Sequence, residues 1–167
     1  LPRSSSLTPG FKVPRANLEG GQGAHRYDVV IISDLALRGG AFVSTLNYIV
    51  AACRSGSRVA VFHWRKYDLS VSSPPNPRLY EACVRHDVDI LSPEDTVEAD
   101  LVIIGYPAVL QHKREPFPSV VTQNLIVIVN QSASRLISGA DEQYDPLRAR
   151  QHLTELFGME GTWIPVS

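Results

Sequence analysis

Two adjacent glycines, Gly39 and Gly40 in "DLALRGGAFVSTLNYIVAACRSG" (34–56), separate an apolar run from a helix-like stretch. The free N–H groups and positive dipole end of a helix beginning there favour an anion or a sugar hydroxyl, and the missing Cβ atoms let a ligand reach the backbone. A sharp strand-to-helix turn that needs positive φ would use glycine as well. Both readings stand, because the pair is neither G-x-G-x-x-G nor a P-loop. His63, after an apolar strand and before Trp64, is a candidate base or hydrogen-bond partner, or else a structural strand-end histidine. Asp34 can orient a hydroxyl, act as a base, or bind the N–H groups of its own turn. Asn130 and Gln131 place two amides at a strand end, where sugars and carboxamides are bound by paired donors and acceptors and where loops are also stabilised.

Other chemistries are excluded by spacing. His25, His86, His112 and His152 are scattered without zinc-like intervals, and no G-x-S-x-G accompanies a histidine and an acid in hydrolase order. "GGQGAH" precedes the first strand instead of following it, the wrong context for a nucleotide loop. Sixteen Lys and Arg against seventeen Asp and Glu leave a net charge of -1 and no nucleic-acid footprint. The short charged runs "LRARQH" and "HKRE" read as solvated faces. Cys53 and Cys83 form no C-x-x-C pair and read as buried reduced thiols, which fits a cytoplasmic location. No apolar run is long enough for a transmembrane segment.

The elements that must position these residues follow from periodicity. At 167 residues, 44% hydrophobic and 20% charged, the chain fits one globular domain. Residues 1–26 mix Pro, Ser and Gly without period and are expected to form a flexible linker or arm, with the domain spanning 27–167. "YDVVIIS" (27–33) reads as a central strand, followed by "RVAVFH" (58–63), "DVDIL" (87–91), "DLVIIGY" (100–106) and "NLIVIVN" (124–130). "TWIPV" (162–166) is a sixth strand or the exit from the domain. Helices are expected at 41–55 through Phe42, Val43, Leu46, Ile49, Val50 and Cys53, at 77–86 behind Pro77, and from Asp145-Pro146 to Gly158 with Leu147, Leu153, Leu156 and Phe157 inward. Ser92-Pro93-Glu94-Asp95 resembles a helix start, so a brief helix is expected there. Alternating strands and helices imply right-handed crossovers and a Rossmann-like three-layer α/β/α domain, with a parallel sheet of five to six strands in the order 3-2-1-4-5. Ligands then bind beyond the strands' carboxyl ends: Ser33 to Gly40, His63 to Arg65, Gly105 to Pro107 and Asn130 to Ser132.

The order of "RGGAFVSTLNYIVAACRSGSRVAVFHW", "EADLVIIGYPAVLQ", "LIVIVNQSASR" and "LFGMEGTWIPVS" resembles the N-terminal domain of bacterial GT-B retaining glycosyltransferases over about 27–167. The resemblance implies a nucleotide-sugar donor, an acceptor, no bound cofactor, and a Gly-Gly at Gly39-Gly40 near the donor phosphates. It places Tyr106 on the acceptor side. The family's donor site lies mainly in a C-terminal Rossmann-like domain with an E-x7-E pair, and no two glutamates here have that spacing. The expectation is therefore an acceptor-side half, catalytically incomplete alone; a non-catalytic Rossmann-like binding or interaction module is the alternative.

Overall fold

The computed structural model describes residues 24–65, 74–113, 115–133 and 142–166. Within them seven strands form one sheet: β1 (His25–Ser33), β2 (Val59–His63), β3 (Asp89–Ile90), β4 (Thr96–Ile104), β5 (Ser119–Thr122), β6 (Leu125–Val129) and β7 (Thr162–Pro165). The order is β3-β2-β1-β4-β6-β7, with β5 paired to β4 beside that path, and every pairing is parallel. This is the Rossmann-like α/β order expected from the sequence, with β1 interior. Its first strand begins at His25, two residues before the expected boundary; the rest of the expected arm, 1–23, lies outside the described residues.

Two cores hold the layers together. On one face Val29, Ile31, Val59 and Val61 pack under α1 (Gly40–Arg54) and α2 (Pro77–His86), through Phe42, Ile49, Leu79 and Cys83. On the other, Val30, Ile32, Phe62, Val102, Ile104 and Val127 pack under α3 (Pro146–Phe157) and a 3-10 helix (Pro107–Gln111). Phe117 seals this second core with its ring 5.2 Å from Phe62, 5.1 Å from Trp64 and 6.0 Å from Phe157. Burial on both faces is what a purely parallel sheet requires.

The face alternation slips once at the same level in three neighbouring strands. In β4 the inward residues are Val97 and Ala99, then Val102 and Ile104. In β1 the amides of Asp28 and Val29 both donate to Arg58 O, at 3.0 and 3.2 Å, a bulge that moves the inward set from Tyr27 to Val30 and Ile32. β5 and β6 are one strand path interrupted at Gln123-Asn124, and its register with β4 is unchanged across the gap, with Thr96 opposite Ser119 and Val102 opposite Leu125. Asn124 bridges the interruption by donating from Nδ2 to Asp100 O at 2.9 Å. Polar residues at the break thus keep the apolar face continuous above and below it.

Helix ends obey the expected chemistry. Asn76 Oδ1 accepts the Arg78 amide at 3.1 Å, and Asp145 Oδ1 accepts those of Leu147 and Arg148 at 2.8 and 3.3 Å. Gly56 and Gly158 close α1 and α3 at φ of 84° and 72°.

Several expectations are corrected. Ser92 to Asp95 is a turn, closed reciprocally by Ser92 N–H on Asp95 Oδ2 (2.7 Å) and Asp95 N–H on Ser92 O (3.2 Å). The β-branched Thr96 and Val97 next in the chain enter β4, so pairing with β5 and β1 takes the residues a helix would need. Leu147 is 79% exposed, because α3 meets the sheet through Ala149 and Leu153 and its first turn overhangs. Val43 is exposed while Thr45 is buried, its hydroxyl satisfied by donating to Ala41 O at 2.9 Å.

Candidate functional site

The strand order reverses between β1 and β4: α1 leaves the end of β1 toward one face, and the 3-10 helix leaves the end of β4 on the other. In open parallel sheets the carboxyl ends of the strands at such a switch point are the usual place for a ligand. The ends of β1, β2, β4 and β6 bring Asp34, His63, Gly105-Tyr106 and Asn130-Gln131 to one edge of the sheet.

Asp34 and His63 both brace the corner after β1. Asp34 is buried and its Oδ1 accepts the Ala36 amide at 3.0 Å, an Asx turn. The Leu35 amide donates to His63 Nδ1 at 3.0 Å, so that nitrogen carries the lone pair and the proton of the neutral ring sits on Nε2. As held, His63 fixes the corner through its ring nitrogen. A general-base role would require the bond to Leu35 to break. The corner is tied from the α2 side by Asn76, whose N–H donates to Leu35 O at 2.7 Å and whose Nδ2 donates to Leu37 O at 3.3 Å. Asn76 is a positioning residue that the sequence shows only as part of a proline-stiffened loop.

Gly39 and Gly40 do not turn this corner by positive φ. Gly39 is extended (φ -93°, ψ -162°), Gly40 opens α1, and neither is among the residues at positive φ. A Cβ built on either would meet nothing within 4 Å. The three described α-helices all come after parallel strands and so begin toward the carboxyl edge. Those of α2 and α3 are closed by Asn76 and Asp145, whereas α1 has no side-chain cap among the described residues and no acid in its first turn. The open positive end of the edge therefore belongs to α1.

On the β4–β6 side, Gly105 is the glycine that packing requires. A Cβ there would lie 2.9 Å from Thr45 Oγ1 and 3.1 Å from Ser33 Oγ, two buried hydroxyls 3.3 Å apart. Gly105→Ala is accordingly expected to cost about 1–3 kcal/mol by overpacking, read as a lower urea midpoint at unchanged slope; an unshifted midpoint would show that the hydroxyl pair gives way freely. Gly105 O accepts from Asn130 Nδ2 at 2.9 Å, and a carbonyl can only accept, so the Asn130 amide is oriented with Oδ1 turned away. The Tyr106 hydroxyl donates to Gln131 Oε1 at 3.4 Å, and that of Tyr144 to Gln131 O at 3.5 Å. Asn130 Oδ1 and Gln131 Nε2 are buried and hydrogen-bond to no other group among the described residues.

The remaining reactive groups serve the core. Burial pushes the Cys83 thiol up to about 12, and burial also raises that of Cys53, so neither is a thiolate at neutral pH. Burial, together with the Asp89 carboxylate to which its hydroxyl donates at 2.8 Å, raises the Tyr27 phenol. Among the described residues no group of three or more His, Cys, Asp or Glu is placed to hold a metal, and no helix is long and apolar enough to cross a membrane. Open grooves of about 330, 520 and 620 Å³ run along β4, β5 and β6, and none of these is lined by a residue of the carboxyl edge. The edge is singled out by its polar groups and topology. Comparison with described protein families, curated proteins and solved structures returned no significant match.

Proposed function

We propose that this Rossmann-like unit is the acceptor-side half of a nucleotide-sugar-dependent glycosyltransferase of the GT-B kind, its carboxyl edge forming one wall of a cleft that a second Rossmann-like domain completes. The observation that carries the reading is the N-terminus of α1, uncapped and fronted by two glycines that no backbone strain or packing demands. Backbone N–H groups at such an end receive phosphate or sugar oxygens. In transfer, the bond from the anomeric carbon to the leaving diphosphate oxygen breaks and one to an acceptor oxygen forms. The diphosphate carries away the bonding electrons, and the acceptor hydroxyl loses its proton. Of this chain's groups, Gly39-Gly40 receive the ligand's oxygens, His63 sets the corner beside them through Nδ1, and Asp34 holds that corner or takes the hydroxyl proton. Tyr106, Asn130 and Gln131 line the acceptor side.

Nucleoside diphosphates and simple sugars added to the chain should move backbone amides at 34–42, 63–65, 105–107 and 130–132, as read by two-dimensional NMR. Affinity should be millimolar at best, because a ligand held from one side keeps much of its surface in water. Micromolar binding, or turnover by this chain alone, would refute the half-enzyme reading. Binding by a longer parent that transfers nothing would favour a non-catalytic module.

A further inference from the structure

Asn130 and Gln131 stand at the end of β6, separated by β4 from the β1 edge where α1 opens. Each amide is pinned by half. Asn130 spends its donor end on Gly105 O, and Gln131 spends its acceptor end on the Tyr106 hydroxyl. One acceptor, Asn130 Oδ1, and one donor, Gln131 Nε2, remain, both buried and both without a partner among the described residues. A buried amide atom left unpaired carries a desolvation cost that native proteins rarely leave standing. A hydroxyl both donates and accepts, so a hydroxyl of a neutral polyol matches either atom, whereas a phosphate oxygen would be repelled by Asn130 Oδ1.

We infer that Asn130 and Gln131 form a hydroxyl-reading subsite for an uncharged sugar ring, chemically distinct from the anion-receiving backbone at Gly39-Gly40. The inference rests on reading the carboxyl edge as the ligand site, and it divides that edge into a phosphate end at α1 and a sugar end at β6.

The test monitors side-chain NH2 resonances of the chain during separate titrations with glucose, galactose, mannose and inorganic phosphate. At least one sugar should shift the NH2 pairs of Asn130 and Gln131, and phosphate should leave them in place. Gln131→Glu keeps an acceptor for Tyr106 and replaces the donor by an oxygen; it should weaken sugar binding about tenfold, the loss of one neutral hydrogen bond. Gln131→Met, which removes both polar ends at similar length, should do the same, and the wild-type pattern of backbone amide shifts will show that each variant is folded. Sugar affinity unchanged in both variants, or no NH2 shift with any sugar, would overturn the subsite and leave the amides to internal hydration. Free-sugar binding that survives Gln131→Glu while nucleotide binding at 34–42 is intact would sink this inference without touching the transferase reading. Sugar shifts at 130–131 without any nucleotide binding would do the reverse.

Discussion

On the transferase reading proposed above, Gly40→Val in a protein that joins this unit to a second Rossmann-like domain should abolish transfer while leaving the fold in place. The two halves of that expectation have separate causes. Gly40 is the first residue of α1, its φ is not positive, and a Cβ there meets nothing within 4 Å, so the backbone accepts a β-branched residue without strain. Valine is a better helix former than glycine, and stability should move by no more than about 0.5 kcal/mol. The same side chain would fill the space through which a ligand reaches the uncapped N-terminus, where oxygens must come within hydrogen-bond distance of the amides. Kinetics and thermal melting on one preparation decide the matter. Full activity with Gly40→Val would leave the two glycines without a ligand role; lost activity with a collapsed melting temperature would assign them to structure.

The fold is legible in the sequence because the strands of a parallel sheet are buried on both faces and their apolar runs are hard to mistake. "YDVVIIS" and "LIVIV" carry that signature, and Gly56, Pro77, Asp145-Pro146 and Gly158 mark helix ends where the structure has them. β5 escapes a reading of periodicity because "PFPSVVT" offers only a short run after its prolines, and its pairing with the lower half of β4 is a tertiary choice with no local trace. Ser92 to Asp95 misleads for the opposite reason. The residues that cap a helix also close a turn, and the β-branched Thr96-Val97 pair beyond them selects the turn by entering the sheet.

The candidate site is legible as a place, since strand ends at a topological switch can be named from order alone, but not as chemistry. That His63 braces the corner depends on the Leu35 amide occupying Nδ1, a contact between residues 28 positions apart in sequence. Gly105 looks like any strand-end glycine until Thr45 and Ser33 are seen against it. Asn76 acts at a distance, through Leu35 and Leu37. Conversely, a positive-φ turn at Gly39-Gly40 is reasonable on composition, and only the dihedral angles remove it.

Gly161 supplies the contrast that gives the Gly40 experiment its meaning. It sits at φ 68°, and a Cβ there would lie 2.9 Å from both Leu125 O and Leu125 Cγ. The first of these atoms is backbone of β6 and cannot swing aside. Gly161 also leads directly into β7, whose Trp163 lies under the Arg150 guanidinium at 4.7 Å and stacks on Tyr144 at 6.4 Å. Gly161→Val combines left-handed strain for a β-branched residue with a backbone clash, and together these should cost about 3 kcal/mol. The urea midpoint should fall, and the tryptophan signal in near-ultraviolet circular dichroism should weaken as the edge strand loosens from β6. Ligand shifts at 34–42 should persist below the transition, since the β1–α1 loop lies across β4 and β6 from the damage. A midpoint within experimental error of wild type would mean that the turn before β7 adjusts without strain. Valine at position 40 should therefore cost function without stability, and valine at position 161 stability without the ligand edge; only the second glycine is there to turn a corner.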